Sequence, residues 1–128
     1  MSGKLLDTNA VIALQKAEPD FLQFLDSDDE LLIPAIVIGE LYLGAYNSLR
    51  VSENVKVVDE FATDNTVLPC DAETGKQFGQ IRYQLKVKGR PIPENDIWIA
   101  AIAIQHGLTL VTRDEHFNDV DGLQVEKW

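Results

Sequence analysis

Short apolar runs alternate along this chain with longer stretches in which apolar residues recur at spacings of three and four. The runs Gly3 to Leu6, Leu31 to Ile33, Thr66 to Leu68 and Leu108 to Thr112 read as buried strands, with Leu123 to Val125 as a weaker last one. The intervening stretches read as helices. One is expected over roughly Asn9 to Lys16, and Pro19 suits the first turn of a second, whose packing face is Phe21, Leu22, Phe24 and Leu25. Asp26 to Glu30 is a polar break. Pro34 starts a helix reaching about Asn47, and another follows near Ser52 to Thr63. Asp71 is the expected N-cap of a helix carrying Phe78, Ile81 and Leu85, and Gly89, Pro91 and Pro93 punctuate its end. The helix after Pro93 runs to about His106, and Gly107 stands where a helix end wants a left-handed residue.

Strands alternating with helices predict an α/β fold: a short, mainly parallel central sheet covered on both faces. No internal repeat, low-complexity tract or linker interrupts it, so residues 1–128 are expected to form a single domain. In such sheets, sites form outside the carboxyl ends of the strands.

Composition removes several classes. The longest apolar stretch, Ile97 to Ile104, has eight residues, far short of a membrane span, and no apolar signal segment precedes Asp7. One cysteine, Cys70, allows no internal disulfide, and a reduced cytoplasmic location is the expectation. Cys70 reads as a small core residue, and Trp98 and Trp128 as packing groups. One Cys and two distant His residues, His106 and His116, cannot make a zinc cluster, and neither His occupies a recognisable base position. A net charge of −10 argues against binding nucleic acid through general basicity. Yet five of the 11 Lys and Arg residues, Lys76, Arg82, Lys86, Lys88 and Arg90, fall close together. They are either a solvated helix face or a local guide for a polyanion.

Four acids are hard to explain by folding alone. Asp7 ends the run Leu5-Leu6, Glu40 is the only charge between Leu31 and Tyr46, Asp96 precedes the apolar block from Ile97, and Asp114 follows the last clear strand. Each has a bland reading as well. Asp7 and Asp114 could cap turns, Asp96 could answer a helix dipole, and Glu40 could reach solvent along a helix edge. Gathered at one sheet edge they would repel, by about 4 kcal/mol for a pair about 4 Å apart at an effective dielectric near 20. Mg²⁺ or Mn²⁺, which prefer oxygen ligands, would relieve that repulsion. Asn9 and Thr112 are candidate supporting groups, holding the carboxylates by hydrogen bonds.

The segments Leu-Leu-Asp-Thr-Asn (5–9), Ile-Gly-Glu-Leu (38–41), Ile-Pro-Glu-Asn-Asp-Ile-Trp-Ile-Ala-Ala (92–101) and Leu-Val-Thr-Arg-Asp (110–114) resemble the PIN domain. The tail Phe117-Asn-Asp-Val-Asp-Gly-Leu123, with Trp128, looks like its VapC toxin branch. The resemblance spans nearly the whole chain. It implies a three-layer α/β/α fold, usually a homodimer, and a metal-dependent endoribonuclease acting on tRNA or rRNA through metal-activated water. It also implies an antitoxin protein whose C-terminal segment occupies the groove. Carried over by motif, the metal-binding and catalytic acids are Asp7, Glu40, Asp96 and Asp114. From the basic cluster, Arg82, Lys86, Lys88 and Arg90 are the expected substrate contacts. An RNA-processing nuclease without an antitoxin and a catalytically silent PIN-fold binding module are the alternatives. A phosphoacceptor signalling domain fits less well, because no lysine occurs between Lys88 and Lys127.

Overall fold

The computed structural model of the chain describes residues 3–128. Its strands are β1 (Gly3–Leu6), β2 (Glu30–Pro34), β3 (Thr66–Leu68), β4 (Thr109–Val111) and β5 (Gln124–Glu126). Its helices are α1 (Thr8–Gln15), α2 (Pro19–Phe24), α3 (Ala35–Tyr46), α4 (Val51–Asp64), α5 (Ala72–Lys88) and α6 (Glu94–His106), with a 3-10 turn at Glu115–Asp119.

The strands form one sheet in the order β3-β2-β1-β4-β5, and every neighbouring pair is parallel. β1 lies at the centre, with Leu5 opposite Leu32 on one side and Leu110 on the other. The chain steps outward through β2 and β3, then returns to lay β4 on the free side of β1. That reversal is the switch point of a doubly wound sheet, where a crevice opens beyond the carboxyl ends of the two strands. Asp7 and Thr112 are the first residues past those ends.

Burial explains why these short runs are strands. Leu5, Leu6, Ile33, Leu110 and Val111 are all inaccessible to solvent, as a parallel sheet covered on both faces requires. α6 is sunk in the core: Ile97 and the unbroken run Ile99 to Ala103 are buried. Its end is held by Gly107 at φ 65°, where the amide of Leu108 donates to the Ala103 carbonyl at 2.8 Å. Asp71 caps α5 in a reciprocal pairing with Thr74, whose side chain also reaches Gln105 of α6.

Several expectations shift. Pro34 closes β2 and caps α3 from an extended conformation, because its fixed φ suits both. β4 is shorter than the run Leu108 to Thr112: the Leu108 amide closes the end of α6, and Thr112, whose amide still donates to the Glu126 carbonyl at 3.1 Å, sends its side chain to Asp7. Cys70 is exposed, and its assignment to the core is corrected: it sits between Pro69 and the Asp71 cap, in a connection that must run over the surface. Trp98 stacks on Phe78 at 4.1 Å, and Trp128 meets Phe21 edge-on at 5.0 Å, so both tryptophans pack as expected. No helix among the described residues is long and apolar enough to cross a membrane.

Candidate functional site

Four elements converge on the crevice. Asp7, the residue after β1, is 3% exposed. Its Oδ1 accepts from the Ala10 amide at 2.9 Å, capping α1, and its Oδ2 accepts from the Thr112 hydroxyl at 2.5 Å. The capping reading of Asp7 is therefore correct for one oxygen only. Thr112 works twice, because its Oγ1 also accepts from the Asp114 amide at 3.0 Å. Asp114 occupies the cap position of the 3-10 turn without making a side-chain cap bond, so its carboxylate is not consumed by local structure.

Glu40 projects from the middle of α3 and is half-buried. Its Oε1 accepts from Asn95 Nδ2 at 3.0 Å and its Oε2 from the Thr8 hydroxyl. Asp96, in the first turn of α6, is also half-buried. Its Oδ2 lies 2.8 Å from His116 Nε2. Oxygen or nitrogen atoms of Asp96, Asp114 and His116 all fall within 4.8 Å of one another.

The charges of these acids act on one another. Burial pushes the Asp7 carboxyl up to about 6, against the pull of its two hydrogen bonds, and the nearby charges of Asp114 and Asp96 push it the same way. Burial also raises Asp96; His116 opposes the rise, while Asp114 and Glu40 add to it. Among the described residues none of the four acids pairs with a lysine or arginine. Arg113, between Thr112 and Asp114, turns away to Asp20 at 2.9 Å and lies over the Trp128 ring. Carboxylates gathered in this way without a lysine or arginine counter-charge offer the oxygen donors that a hard divalent cation takes.

The expected supporting groups divide. Thr112 makes the contacts just described. Asn9 is exposed and makes no side-chain hydrogen bond among the described residues; Thr8 beside it reaches Glu40 instead. Thr8, Asn95 and His116 belong to the site and were missed by sequence reasoning. The available signals were adjacency, Asn95 next to Asp96 and His116 two residues beyond Asp114, and neither is specific.

The basic cluster is largely occupied. Arg82 pairs with Glu94 at 3.6 Å, Arg90 with Asp119 at 3.9 Å, and Lys88 with Asp121 and the Asp119 carbonyl. These pairs are mostly exposed, hence weak and exchangeable. Lys86 has no ion-pair partner among the described residues and, with Arg82, Leu85, Pro91, Ile92 and Ile97, lines a cavity of about 360 Å³.

The PIN domain family model matches residues 4–123. The chain is 34% identical to the tRNA(fMet)-specific endonuclease VapC of Salmonella typhimurium, over 97% of this chain and 96% of the relative. It superposes with a TM-score of 0.88 on DNA-bound VapBC from Salmonella typhimurium, at 31% identity, covering 100% of this chain and 99% of that one. VapBC-5 of Mycobacterium tuberculosis, a member of the VapBC family of toxin-antitoxin systems, matches with a TM-score of 0.77 at 27% identity, over 99% of this chain and 98% of that one. With family model, sequence and fold in agreement over almost its full length, the chain belongs to the PIN domain family.

Proposed function

We propose that this protein is a divalent-metal-dependent endoribonuclease acting as the toxin of a toxin–antitoxin pair in the cytoplasm. The observation that carries the reading is a group of acids at one crevice. Asp96 and Asp114 have ligand atoms within 4.8 Å of each other, and Asp7 and Glu40 are near enough for their charges to act on that pair. No lysine or arginine pairs with any of the four among the described residues. Asp7 and Asp96 would be the central ligands of Mg²⁺ or Mn²⁺, with Glu40 and Asp114 completing the site directly or through water. When bound, the metal supplies a nucleophile at neutral pH by lowering the pKa of water, and stabilises charge on the leaving oxygen.

The chain's own residues do the rest. Thr112 fixes the rotation of Asp7, while Thr8 and Asn95 fix that of Glu40. Lys86 and Arg90 guide the RNA backbone toward the crevice, and reversing both to Glu should weaken RNA binding and reduce its salt dependence. The substrate class is tRNA or rRNA, in keeping with the name of the Salmonella relative. A cognate antitoxin and a second copy of the chain are the expected protein partners. The exposed apolar side chains of α3 and α4, Leu43, Tyr46 and Val57, offer them a surface.

The test is RNA 5′-end sequencing after brief induction of wild type and Asp96→Asn in a bacterial host. New, discrete 5′ ends with the wild type alone, together with growth arrest, are the expected result. Identical RNA from both proteins, each folded and without antitoxin, would move the assignment to a nuclease whose substrate the host lacks or to a silent binding module.

A further inference from the structure

His116 lies at the acidic site but has no part in the reading above. Its Nε2 sits 2.8 Å from Asp96 Oδ2, and an ionised carboxylate can only accept, so Nε2 carries the proton and donates. The ring is held from behind: it tilts against Phe117 at 4.8 Å between centroids, and Phe117 is inaccessible to solvent. The bond joins the first turn of α6 to the 3-10 turn that follows Asp114, two segments that meet only in the folded chain. Asp96 Oδ1 receives no hydrogen bond among the described residues, so the imidazole secures one oxygen of this acid and leaves the other without a donor.

We infer that His116 is a positioning residue: through Nε2 it fixes the Asp96 carboxylate in the orientation that binds the metal, without itself being a ligand. The inference rests on the metal-site reading proposed above. A ligating carboxylate that is itself hydrogen-bonded loses about 10–100-fold in metal affinity when that partner is removed.

The experiment is titration of the RNA-free, metal-free full chain with Mn²⁺ and separately with Mg²⁺, followed calorimetrically, for wild type, H116F, H116Q and D96N. Phe keeps the packing on Phe117 and deletes the donor; Gln places an amide nitrogen near the position of Nε2. H116F should lose about 10–100-fold in affinity for both ions, and H116Q should stay within about threefold of wild type. Wild-type affinity in H116F would overturn the inference. Affinity lost equally in H116F and H116Q, and more for Mn²⁺ than Mg²⁺, would also overturn it, by marking the imidazole as a direct ligand. A wild type that binds no better than D96N would instead remove the metal site, and the positioning role with it. Thermal melts establish that each variant is folded. Should H116F not fold, H116N against H116Q carries the same contrast, because the Asn amide reaches only as far as Nδ1.

Discussion

The hydroxyl of Thr112 donates to Asp7 across 105 positions of sequence and, at the same oxygen, accepts from the backbone of Asp114. One side chain thereby joins the carboxyl ends of β1 and β4 and orders two of the four acids. Replacing it with the isosteric Val should leave a buried carboxylate short of a donor and cost about 1–3 kcal/mol of metal-free stability at neutral pH. Metal affinity and cleavage should fall about 10–100-fold, with Thr112→Ser recovering most of both. Urea titration and a cleavage assay check the pair; a Val variant as active as wild type would remove Thr112 from the site.

Asp7 makes stability depend on pH in an unusual direction. Burial lifts its carboxyl from 3.8 to about 6 in the folded chain, so the native state holds more protons than the unfolded one between those values. The stability linked to that proton is fully present below the unfolded pKa and lost as pH rises through the folded one. At about 1.4 kcal/mol per pKa unit, the loss from Asp7 is about 3 kcal/mol. Asp96, also raised by burial, adds in the same direction. In EDTA, the stability of Asp7→Asn minus that of wild type should therefore grow from about pH 4 to about pH 7. A difference that stays flat would show that Asp7 ionises normally.

Metal should reverse that penalty. A cation that binds only the folded chain stabilises it by about 2.7 kcal/mol at 100 times its Kd. Mn²⁺ or Mg²⁺ is expected to raise the melting temperature of the wild type by several degrees. Glu40→Gln, which keeps the size of the side chain held by Thr8 and Asn95, should respond far less and cleave poorly. Equal upward shifts in both proteins would place the bound ion away from Glu40.

The 3-10 turn is anchored by one ring. Phe117 is inaccessible to solvent, and the residues flanking it carry Asp114 and His116. Phe117→Ala should cost about 3–5 kcal/mol. Beyond that loss, the variant should bind metal more weakly even under conditions where it remains folded. Unchanged affinity in a folded, destabilised variant would separate the anchor from the site.

The parts of this architecture that were legible in the sequence are those governed by local rules. Asp7 and Asp114 stood out because an acid directly beyond a short apolar run lies at the carboxyl edge of a parallel sheet. Glu40 and Asp96 stood out as charges set against apolar helix segments. Gly107 and Asp71 declared their helix ends through backbone and capping preferences. Thr8, Asn95 and His116 declared nothing, because their roles depend on contacts across 32, 55 and 20 positions, which no local spacing encodes. Cys70 misled for the opposite reason: cysteine is usually buried, but here the connection it belongs to overrides the residue's own preference. The fifth strand, no shorter than β3 or β4, was weak because polar Gln124 and Glu126 flank its one apolar residue, Val125, and none of the three is fully buried.

The sheet order has a temporal side. β4, which lies beside β1 at the centre of the sheet, leaves the ribosome after β1, β2 and β3. A nascent polypeptide ending before it already contains Asp7, Glu40 and Asp96, but lacks Thr112 to orient the first of them and Asp114 to complete the set. The set of four acids is complete only once translation has passed Asp114, so a chain that stops short of it can fold much of the sheet and still lack the full donor set.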